Sequence, residues 1–329
     1  MTTARRFILA MALVMAFDLA TGAVRASASE FKLTKPIDIY VTTGAGGSSD
    51  VITRAMGEFA QKHLGQPFNV VNMPDAGGAI AMTMVKKAKP DGQTMVICPS
   101  GVITAIVVFR PGITYNIDDY DIATGLYDRE MFFIIDSKSP YKTFEEWVEA
   151  MKKEGRLVTF GVTGMNNATH IAQLSLLNQA GLQAEPVPLA SEAEIFANVS
   201  GGHIDAGYLH EGLATQYLRE DLARPLCILS EKRSAVPELA VLRSTKELGF
   251  KDIDFYIRNS VFVPKGTPKE ILDLLKDGFR GIMKEPKFIE FIKTNNLALI
   301  NPAEPEEMYK WYKEQVVVLE EIKKKMQGK

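Results

Sequence analysis

Alternating strand-like and helix-like hydrophobic patterns run through the first third of the chain. Short runs rich in β-branched and aromatic residues occupy 37–43, 68–72 and 94–98, a length typical of strands. Between them, apolar residues recur at helical spacing over 49–63 and 77–88. This order of strand, helix, strand, helix, strand predicts a parallel sheet with helices on both faces.

A second unit of the same kind begins near residue 143. Its helices are predicted to begin at two capping boxes, Thr143 with Glu146 and Ser191 with Glu194. Another helical pattern covers 171–177. The strand-like runs of this unit are 157–162, 184–189, 204–209 and 225–229.

The C-terminal third contains one more strand-like run, at 260–263, and then helices. Thr267 as N-cap and Pro268 in the first turn are predicted to open a helix. Because no low-complexity linker separates the two α/β units, we expect the chain to cross between them at 121–135 and again at 251–263. The expected lobes are 29–125 together with 254–329, and 126–253.

Glycine-rich turns follow the first two strands. Residues 44–50 read Gly-Ala-Gly-Gly-Ser-Ser-Asp, and residues 73–78 read Met-Pro-Asp-Ala-Gly-Gly. Glycine lets backbone N–H groups approach a ligand closely, and a helix that begins there points unpaired N–H groups and its positive dipole end at the turn. Ligands of open α/β sheets bind at these strand ends. The turns therefore predict a site for an anion.

The N-terminus has the features of an export signal. Arg5 and Arg6 precede an apolar run over 7–17, which is too short to span a bilayer, and Asp18 interrupts it. Small residues at 26–28 match a cleavage site. We therefore expect residues 1–28 to be a signal peptide cleaved near Ala28 and the protein to be periplasmic; a retained membrane anchor is the alternative.

Composition and missing motifs narrow the function. A net charge of -2 without a long basic run argues against nucleic-acid binding. Phosphate-binding loop, serine-nucleophile and close metal-ligand motifs are absent from the sequence, so neither an enzyme, a cofactor nor a metal is expected. Cys98 and Cys227 each lie in an apolar run. We interpret them as buried small hydrophobes, and a disulfide between them is the alternative.

Several short motifs recur in order along the chain after the signal region. They are Gly46-Gly47-Ser48-Ser49-Asp50 with Arg54, Asn72-Met73-Pro74-Asp75-Ala76-Gly77-Gly78, Pro90-Asp91-Gly92, Gly161 to His170, Gly201-Gly202-His203-Ile204-Asp205, and Pro264-Lys265-Gly266-Thr267-Pro268. On their order and spacing, the chain resembles the solute-binding proteins of tripartite tricarboxylate transporters, the TctC or Bug group.

The resemblance implies a two-lobed periplasmic-binding-protein fold of type II-like topology, with two parallel or mixed sheets flanked by helices and a ligand cleft between the lobes. It also implies a receptor that captures a small carboxylate and delivers it to membrane permease subunits. The carboxylate classes are di- and tricarboxylates, acidic amino acids and aromatic carboxylates. A ligand sensor that feeds a sensor kinase has the same fold and site, and a periplasmic enzyme acting on a carboxylate is a further alternative. The default oligomeric state is a monomer.

Two departures from the family pattern change the expected pocket. Asp75 replaces a glycine and adds a negative charge beside the second turn. Residues 188–192, Pro-Leu-Ala-Ser-Glu, lack the tyrosine, lysine and glycine that the family favours there. We therefore do not assign the exact ligand of any family member to this chain. A ligand whose distal group is smaller or less charged is a hypothesis.

A ligand carboxylate is expected between two helix N-termini, one from each lobe. Several candidates also have structural interpretations: Asp50 as a first-turn acid, Arg54 as an ion-pair partner, His170 as an organiser of its turn and Asp205 at a strand end. Arg129, Arg258 and His210 are further possible cleft residues. The expected ligand-binding residues are Thr43, Ala45, Gly46, Gly47, Ser48, Ser49, Asp50, Pro74, Ala76, Gly77, Ser100, Thr163, Gly164, Met165, Asn166, Asn167, Thr169, His170, Ala190, Ser191, Asp205 and Tyr208.

Overall fold

The computed structural model describes residues 32–295 and 297–326. The predicted signal peptide, residues 1–28, lies outside the described residues. The strands are β1 (Ile37–Val41), β2 (Phe68–Asn72), β3 (Thr94–Pro99), β4 (Tyr120–Arg129), β5 (Met131–Asp136), β6 (Val158–Val162), β7 (Ala184–Pro188), β8 (Gly207–His210), β9 (Ala223–Ile228), β10 (Ile257–Pro264) and β11 (Leu299–Ile300).

The helices alternate with these strands over most of the chain. They are α1 (Ser48–Leu64), α2 (Ala79–Lys86), α3 (Ser100–Ile103), α4 (Ala105–Phe109), α5 (Phe144–Glu154), α6 (Ala168–Gln179), α7 (Glu192–Ser200), α8 (Glu211–Arg219), α9 (Lys269–Met283), α10 (Pro286–Thr294) and α11 (Pro305–Met326). Among the described residues, no helix combines the length and apolar character needed to cross a membrane.

A six-stranded sheet in the order β11-β4-β10-β3-β1-β2 forms the first lobe together with the helices packed on it. β1 pairs in parallel with both β2 and β3, as the sequence predicts. β10 enters between β3 and β4 and runs antiparallel to both, so the complete sheet is mixed. The prediction of an α/β fold with parallel or mixed sheets is thus confirmed.

The second lobe is built on smaller sheets. β5 is central to an antiparallel sheet in the order β8-β5-β9, and β6 pairs in parallel with β7. The Gly161 N–H donates to the Ala206 carbonyl at 3.0 Å, which links β6 to the chain just before β8. β4 of the first lobe ends at Arg129, and β5 of the second lobe begins at Met131. The chain therefore crosses at Glu130, and the boundary expected at 125/126 lies inside β4.

Apolar clusters cover both faces of the larger sheet and fill the second lobe. Ile39 and Val41 pack under α1 and α9, and Val96 and Phe262 face the other side of the sheet. In the described chain both cysteines are free and buried, Cys98 beside Met82 in the first lobe and Cys227 in the second, which agrees with their interpretation as small hydrophobes.

The final helix packs against both lobes. Tyr312, in its first half, is buried in the first lobe beside Phe262, and its hydroxyl donates to Ser260 Oγ at 2.9 Å. Leu319 and Ile322, further along α11, lie in the apolar cluster of the second lobe. One helix thus joins the cores of the two lobes.

Two of the predicted helix starts are confirmed and one is wrong. Thr143 Oγ1 accepts from the Glu146 N–H at 3.2 Å, and Ser191 Oγ accepts from the Glu194 N–H at 3.2 Å. Thr267 does not cap α9: its hydroxyl instead donates to the Pro264 carbonyl at 2.7 Å, so Pro268 occupies the N-cap position without a side-chain cap.

Candidate functional site

A cavity of about 830 Å³ lies between the two lobes. Backbone and small side chains of the glycine-rich turn after β1 form one wall, and the turn after β6 forms the opposite wall. The lining residues are Thr42, Thr43, Gly44, Ala45, Gly46, Gly47, Ser48, Ser49, Pro74, Gly77, Pro99, Gly101, Val102, Ile106, Arg110, Arg129, Thr163, Gly164, Met165, Asn167, Ala168, Thr169, Ala190, Ser191, Glu192, Tyr208, His210, Ile257 and Asn259.

The first-lobe turn directs the N-terminus of α1 at the cavity. Gly46 has φ +79°, which its lack of a Cβ permits, and Gly47 caps the helix without a side-chain bond. The Gly46 N–H donates to Asp50 Oδ2 at 2.9 Å, and the Gly47 N–H donates to the Gly44 carbonyl at 3.1 Å. These two expected anion donors are therefore used inside the turn. Ser48 and Ser49, whose first-turn N–H groups have no partner within the helix, line the cavity.

Asp50 holds this turn and does not line the cavity. Its Oδ1 accepts from Arg54 Nε at 2.8 Å and from Asn72 Nδ2 at 2.9 Å. Burial opposes the charge of Asp50, but the Gly46 N–H, Asn72 and Arg54 outweigh it and lower the pKa of the carboxyl. Asp50 thus lies outside the cavity lining, so its contact with a ligand stays a prediction. Arg54 is the ion-pair partner that its sequence position suggested.

The second-lobe turn presents the N-terminus of α6 from the opposite side. Asn167 caps this helix, and its Oδ1 accepts from the His170 N–H at 3.0 Å and from Thr169 Oγ1 at 2.8 Å. His170 Nδ1 accepts from the Asn166 N–H at 2.9 Å, and its buried ring stacks on Phe160. Burial lowers the pKa of His170. Asn166 and His170 therefore organise the turn, and neither lines the cavity.

The lobes approach each other closely beside the cavity. A Cβ added to Gly101, at the start of α3, would lie 3.3 Å from Ala168 Cβ, at the start of α6. Both of these residues line the cavity. The structure therefore places the two helix-bearing walls in near contact.

Arg129, at the end of β4, links the two walls. Its Nη1 donates to Ser48 Oγ at 2.8 Å and lies 3.8 Å from Glu192 Oε1, at the start of α7. Its Nε lies 3.7 Å from Glu211 Oε1, and only 13% of its side chain is exposed. Arg129 thus brings a buried positive charge to the cavity.

Burial controls the charges around this arginine. It raises the pKa of Glu211 to about 8 against the opposing effect of Arg129, and it lowers the pKa of His210, with help from Arg129, to about 4. Glu192 is buried as well, but His210, Arg129 and the His210 N–H together lower its pKa. At neutral pH the group therefore holds charged Arg129 and Glu192 beside a neutral His210 and a mostly protonated Glu211.

The structure brings most of the expected residues to this same cavity between the lobes. Whether they contact a ligand stays a prediction. Those that line the cavity are Thr43, Ala45, Gly46, Gly47, Ser48, Ser49, Pro74, Gly77, Thr163, Gly164, Met165, Asn167, Thr169, Ala190, Ser191 and Tyr208.

Other expected residues have structural partners instead. Asp205 Oδ2 accepts from Arg156 Nη1 and from the Thr159 N–H, each at 2.8 Å, away from the cavity. The Ser100 hydroxyl donates to the Tyr256 carbonyl at 3.4 Å.

Ala76 and Arg258 also lie outside the cavity lining. The Ala76 carbonyl accepts from Arg110 Nη1. The Arg258 guanidinium stacks 4.8 Å from the Trp311 ring centroid and lies 3.9 Å from Asp128.

Sequence reasoning missed several lining residues. Arg110 follows α4 and carries no local motif, and Asn259 and Ile257 arrive on β10 from a distant part of the chain. Glu192 was visible only as an acidic first-turn residue, although its place in the departure from the family pattern was a usable signal.

This fold and cavity define the class of two-lobed solute-binding proteins. The family model of the TctC, or tripartite tricarboxylate transporter family, receptor matches residues 52–327. The chain belongs to this family, which confirms the resemblance.

Individual relatives agree with this assignment. The UPF0065 protein in the gbd 5'region of Cupriavidus necator is 30% identical over 284 residues, covering 84% of this chain and 82% of the relative. The structure of the periplasmic binding protein BugD is similar with a TM-score of 0.75 at 27% identity, over 89% of this chain and 98% of BugD. MatC from Rhodopseudomonas palustris with bound malate shares the fold, with a TM-score of 0.75 at 21% identity over 88% and 99% of the two chains.

Proposed function

We propose that the chain is a periplasmic receptor that binds a small carboxylate in the cavity between its lobes and delivers it to the membrane subunits of a tripartite transporter. One observation carries the proposal: the N-termini of α1 and α6 face the same cavity from different lobes, with the Arg129 guanidinium beside them. Helix N-termini and arginine both favour negative charge.

The expected affinity follows from the kind of donors available. A hydrogen bond to a charged group contributes about 1.5–3 kcal/mol, and micromolar binding corresponds to about 8 kcal/mol. A few such bonds, after the cost of ordering the ligand and the lobes, reach that range. Contacts from both lobes at once would favour the closed arrangement over an open one.

Family membership supports the location and the partners. The N-terminal pattern predicts export with cleavage near Ala28, and the similar protein BugD is a periplasmic binding protein. MatC binds malate, a carboxylate, on the same fold. We therefore include periplasmic location, delivery to membrane permease subunits and a receptor without catalytic activity in the proposal.

A thermal-shift screen tests the ligand class. The mature chain from Ser29 would be heated with mono-, di- and tricarboxylates, amino acids and aromatic acids, with neutral sugars as the comparison. A ligand that binds only the folded state raises the midpoint as its concentration increases. A rise with a carboxylate supports the proposal. A rise with sugars or cationic amino acids and with no carboxylate contradicts it.

Arg129→Gln tests the role of the buried arginine in binding. We expect the Kd for the carboxylate found in the screen to rise at least about tenfold, or 1.4 kcal/mol, by calorimetry. Arg233→Gln is the matched control, because Arg233 is an exposed arginine bonded to Glu247 outside the cavity. Circular dichroism would show that both variants are folded, and equal Kd values for the two would refute the role of Arg129.

A further inference from the structure

Glu192 is the acidic residue among the cavity-lining residues of the described chain. It occupies the first position of α7, within the segment that departs from the family pattern, and 16% of its side chain is exposed. An acid that lines an anion site repels the ligand unless another group of the ligand or the protein compensates for it. The contacts of its two carboxylate oxygens show which of them can still accept a hydrogen bond.

One oxygen of Glu192 is bonded and the other is open. Oε2 accepts from the His210 N–H at 2.9 Å. Oε1 lies 3.8 Å from Arg129 Nη1 and 3.8 Å from His210 Nε2, beyond hydrogen-bond distance from both. A carboxylate oxygen can accept hydrogen bonds at two lone pairs, so Oε1 has unused capacity at the cavity wall.

His210 does not supply the missing donor. Its Nδ1 lies 2.8 Å from the Glu130 carbonyl, which fixes the proton of a neutral ring on Nδ1 and leaves Nε2 with a lone pair. Arg129 Nη1 donates to Ser48 Oγ, and Arg129 Nε lies 3.7 Å from Glu211 Oε1. Glu192 Oε1 therefore receives no hydrogen bond from the described residues, and a donor in the cavity that Glu192 lines can supply one.

We propose that Glu192 accepts a hydrogen bond from a donor on the carbon next to the ligand carboxylate, so that the site selects α-amino or α-hydroxy carboxylates. This inference rests on the proposed function. The donor belongs close to the carboxylate because Glu192 Oε1 and Arg129 Nη1 are 3.8 Å apart, and Arg129 faces the carboxylate. The same charge on Glu192 disfavours a second carboxylate at this wall.

Matched ligand series test this selection on the mature chain. The probes are propionate, lactate and alanine; succinate, malate and aspartate; glutarate, 2-hydroxyglutarate and glutamate; and phenylacetate, mandelate and phenylglycine. Within each series only the α-substituent changes. We expect the hydroxyl- or amino-bearing member of the bound series to have a Kd at least about tenfold lower than the unsubstituted acid.

Glu192→Gln keeps the shape of the side chain and removes its charge, and Glu194→Gln is the matched control. Glu194 lies on the same helix turn, but its carboxylate accepts from the Ala190 N–H at 2.8 Å and does not line the cavity. We expect the α-substituent preference of the amino-bearing ligand to fall at least about fivefold in Glu192→Gln and to be unchanged in Glu194→Gln.

The outcomes separate this inference from the function on which it rests. Tight binding of an unsubstituted acid, or a preference for the amino-bearing member that survives in Glu192→Gln, overturns the role of Glu192 and leaves the carboxylate receptor intact. If the wild-type chain binds none of the twelve acids and no tricarboxylate either, the proposed function and the inference are overturned together. Retained unfolding midpoints in both variants would show that an altered Kd does not come from unfolding.

Discussion

Single residues around Arg129 combine charge and burial in a way that makes the protein sensitive to pH. Glu211 is buried beside Arg129, and its Oε2 accepts from the Glu130 N–H at 3.0 Å. Glu192 and His210 complete the surroundings of the arginine. Because burial raises the pKa of Glu211 to about 8 from an ordinary 4.5, the folded chain holds a proton that the unfolded chain has lost.

We therefore predict that the free energy of unfolding falls as the pH rises from 6.5 to 8. In this window the folded state binds more protons than the unfolded state, so the slope is negative, with a limit of about 1.4 kcal/mol per pH unit. His210, with its pKa lowered to about 4 from 6.5, acts in the opposite direction only below this window. Urea unfolding at several pH values would measure the slope.

Glu211→Gln should flatten that slope, since the amide does not titrate. Glu220→Gln is the control, because Glu220 is exposed at the end of the same helix. An unchanged slope in Glu211→Gln would show that another group carries the pH dependence.

Gly78 lies where the second glycine turn meets the first strand. Its φ is +90°, and an added Cβ would lie 2.5 Å from Thr42 Cβ. We predict that Gly78→Ala lowers the free energy of unfolding by about 2–4 kcal/mol, from backbone strain and overpacking together.

Gly112→Ala separates these two causes. Gly112 has φ +80°, with nothing within 4 Å of an added Cβ, so its alanine variant should lose only about 1 kcal/mol. Urea unfolding of both variants gives the difference, and equal losses would mean that the contact with Thr42 is accommodated.

At the scale of helices and strands, the sequence predicts the features that depend on residues close together in the chain, such as helix caps and turns. The N-caps at Thr143 and Ser191 were predictable because each motif is complete within four residues. The full capping box forms only at Thr143, since the Glu194 carboxylate accepts from the Ala190 N–H instead. The antiparallel insertion of β10 was not predictable, because its pairing with β3 and β4 joins segments distant in the chain. For the same reason the glycine turns of the site were predictable, whereas Arg110 and Asn259 were not.

The two confirmed caps allow a comparison between stability and binding. We predict that Thr143→Ala and Ser191→Ala each lower the free energy of unfolding by about 1 kcal/mol, since each removes a helix N-cap. Ser191 also lines the cavity and Thr143 does not. Calorimetry should therefore show a raised Kd for the carboxylate only in Ser191→Ala, and a normal Kd there would remove Ser191 from the ligand-binding residues.

At the scale of the whole molecule, the near contact between Gly101 and Ala168 limits how closely the lobes can approach. A Cβ at Gly101 would already lie 3.3 Å from Ala168 Cβ, tighter than most such contacts. We predict that Gly101→Ala weakens carboxylate binding slightly and Gly101→Val by about tenfold, because the larger side chain keeps the walls apart.

Small-angle scattering with and without ligand would provide the geometric check. The valine variant should remain more expanded than the wild type at saturating ligand, while its unfolding midpoint without ligand stays close to the wild-type value. Wild-type affinity in Gly101→Val would mean that the lobes do not need this close approach to bind.

The position of β10 has a consequence for how the chain reaches its folded state. β10 lies between β3 and β4 in the larger sheet, yet it follows the whole second lobe in the sequence. When the chain emerges N-terminus first, from a ribosome or from an export channel, the first lobe lacks an interior strand until residues 257–264 have appeared. The strands of the second lobe are all contiguous in sequence, so they can pair with one another before the sheet of the preceding lobe is complete.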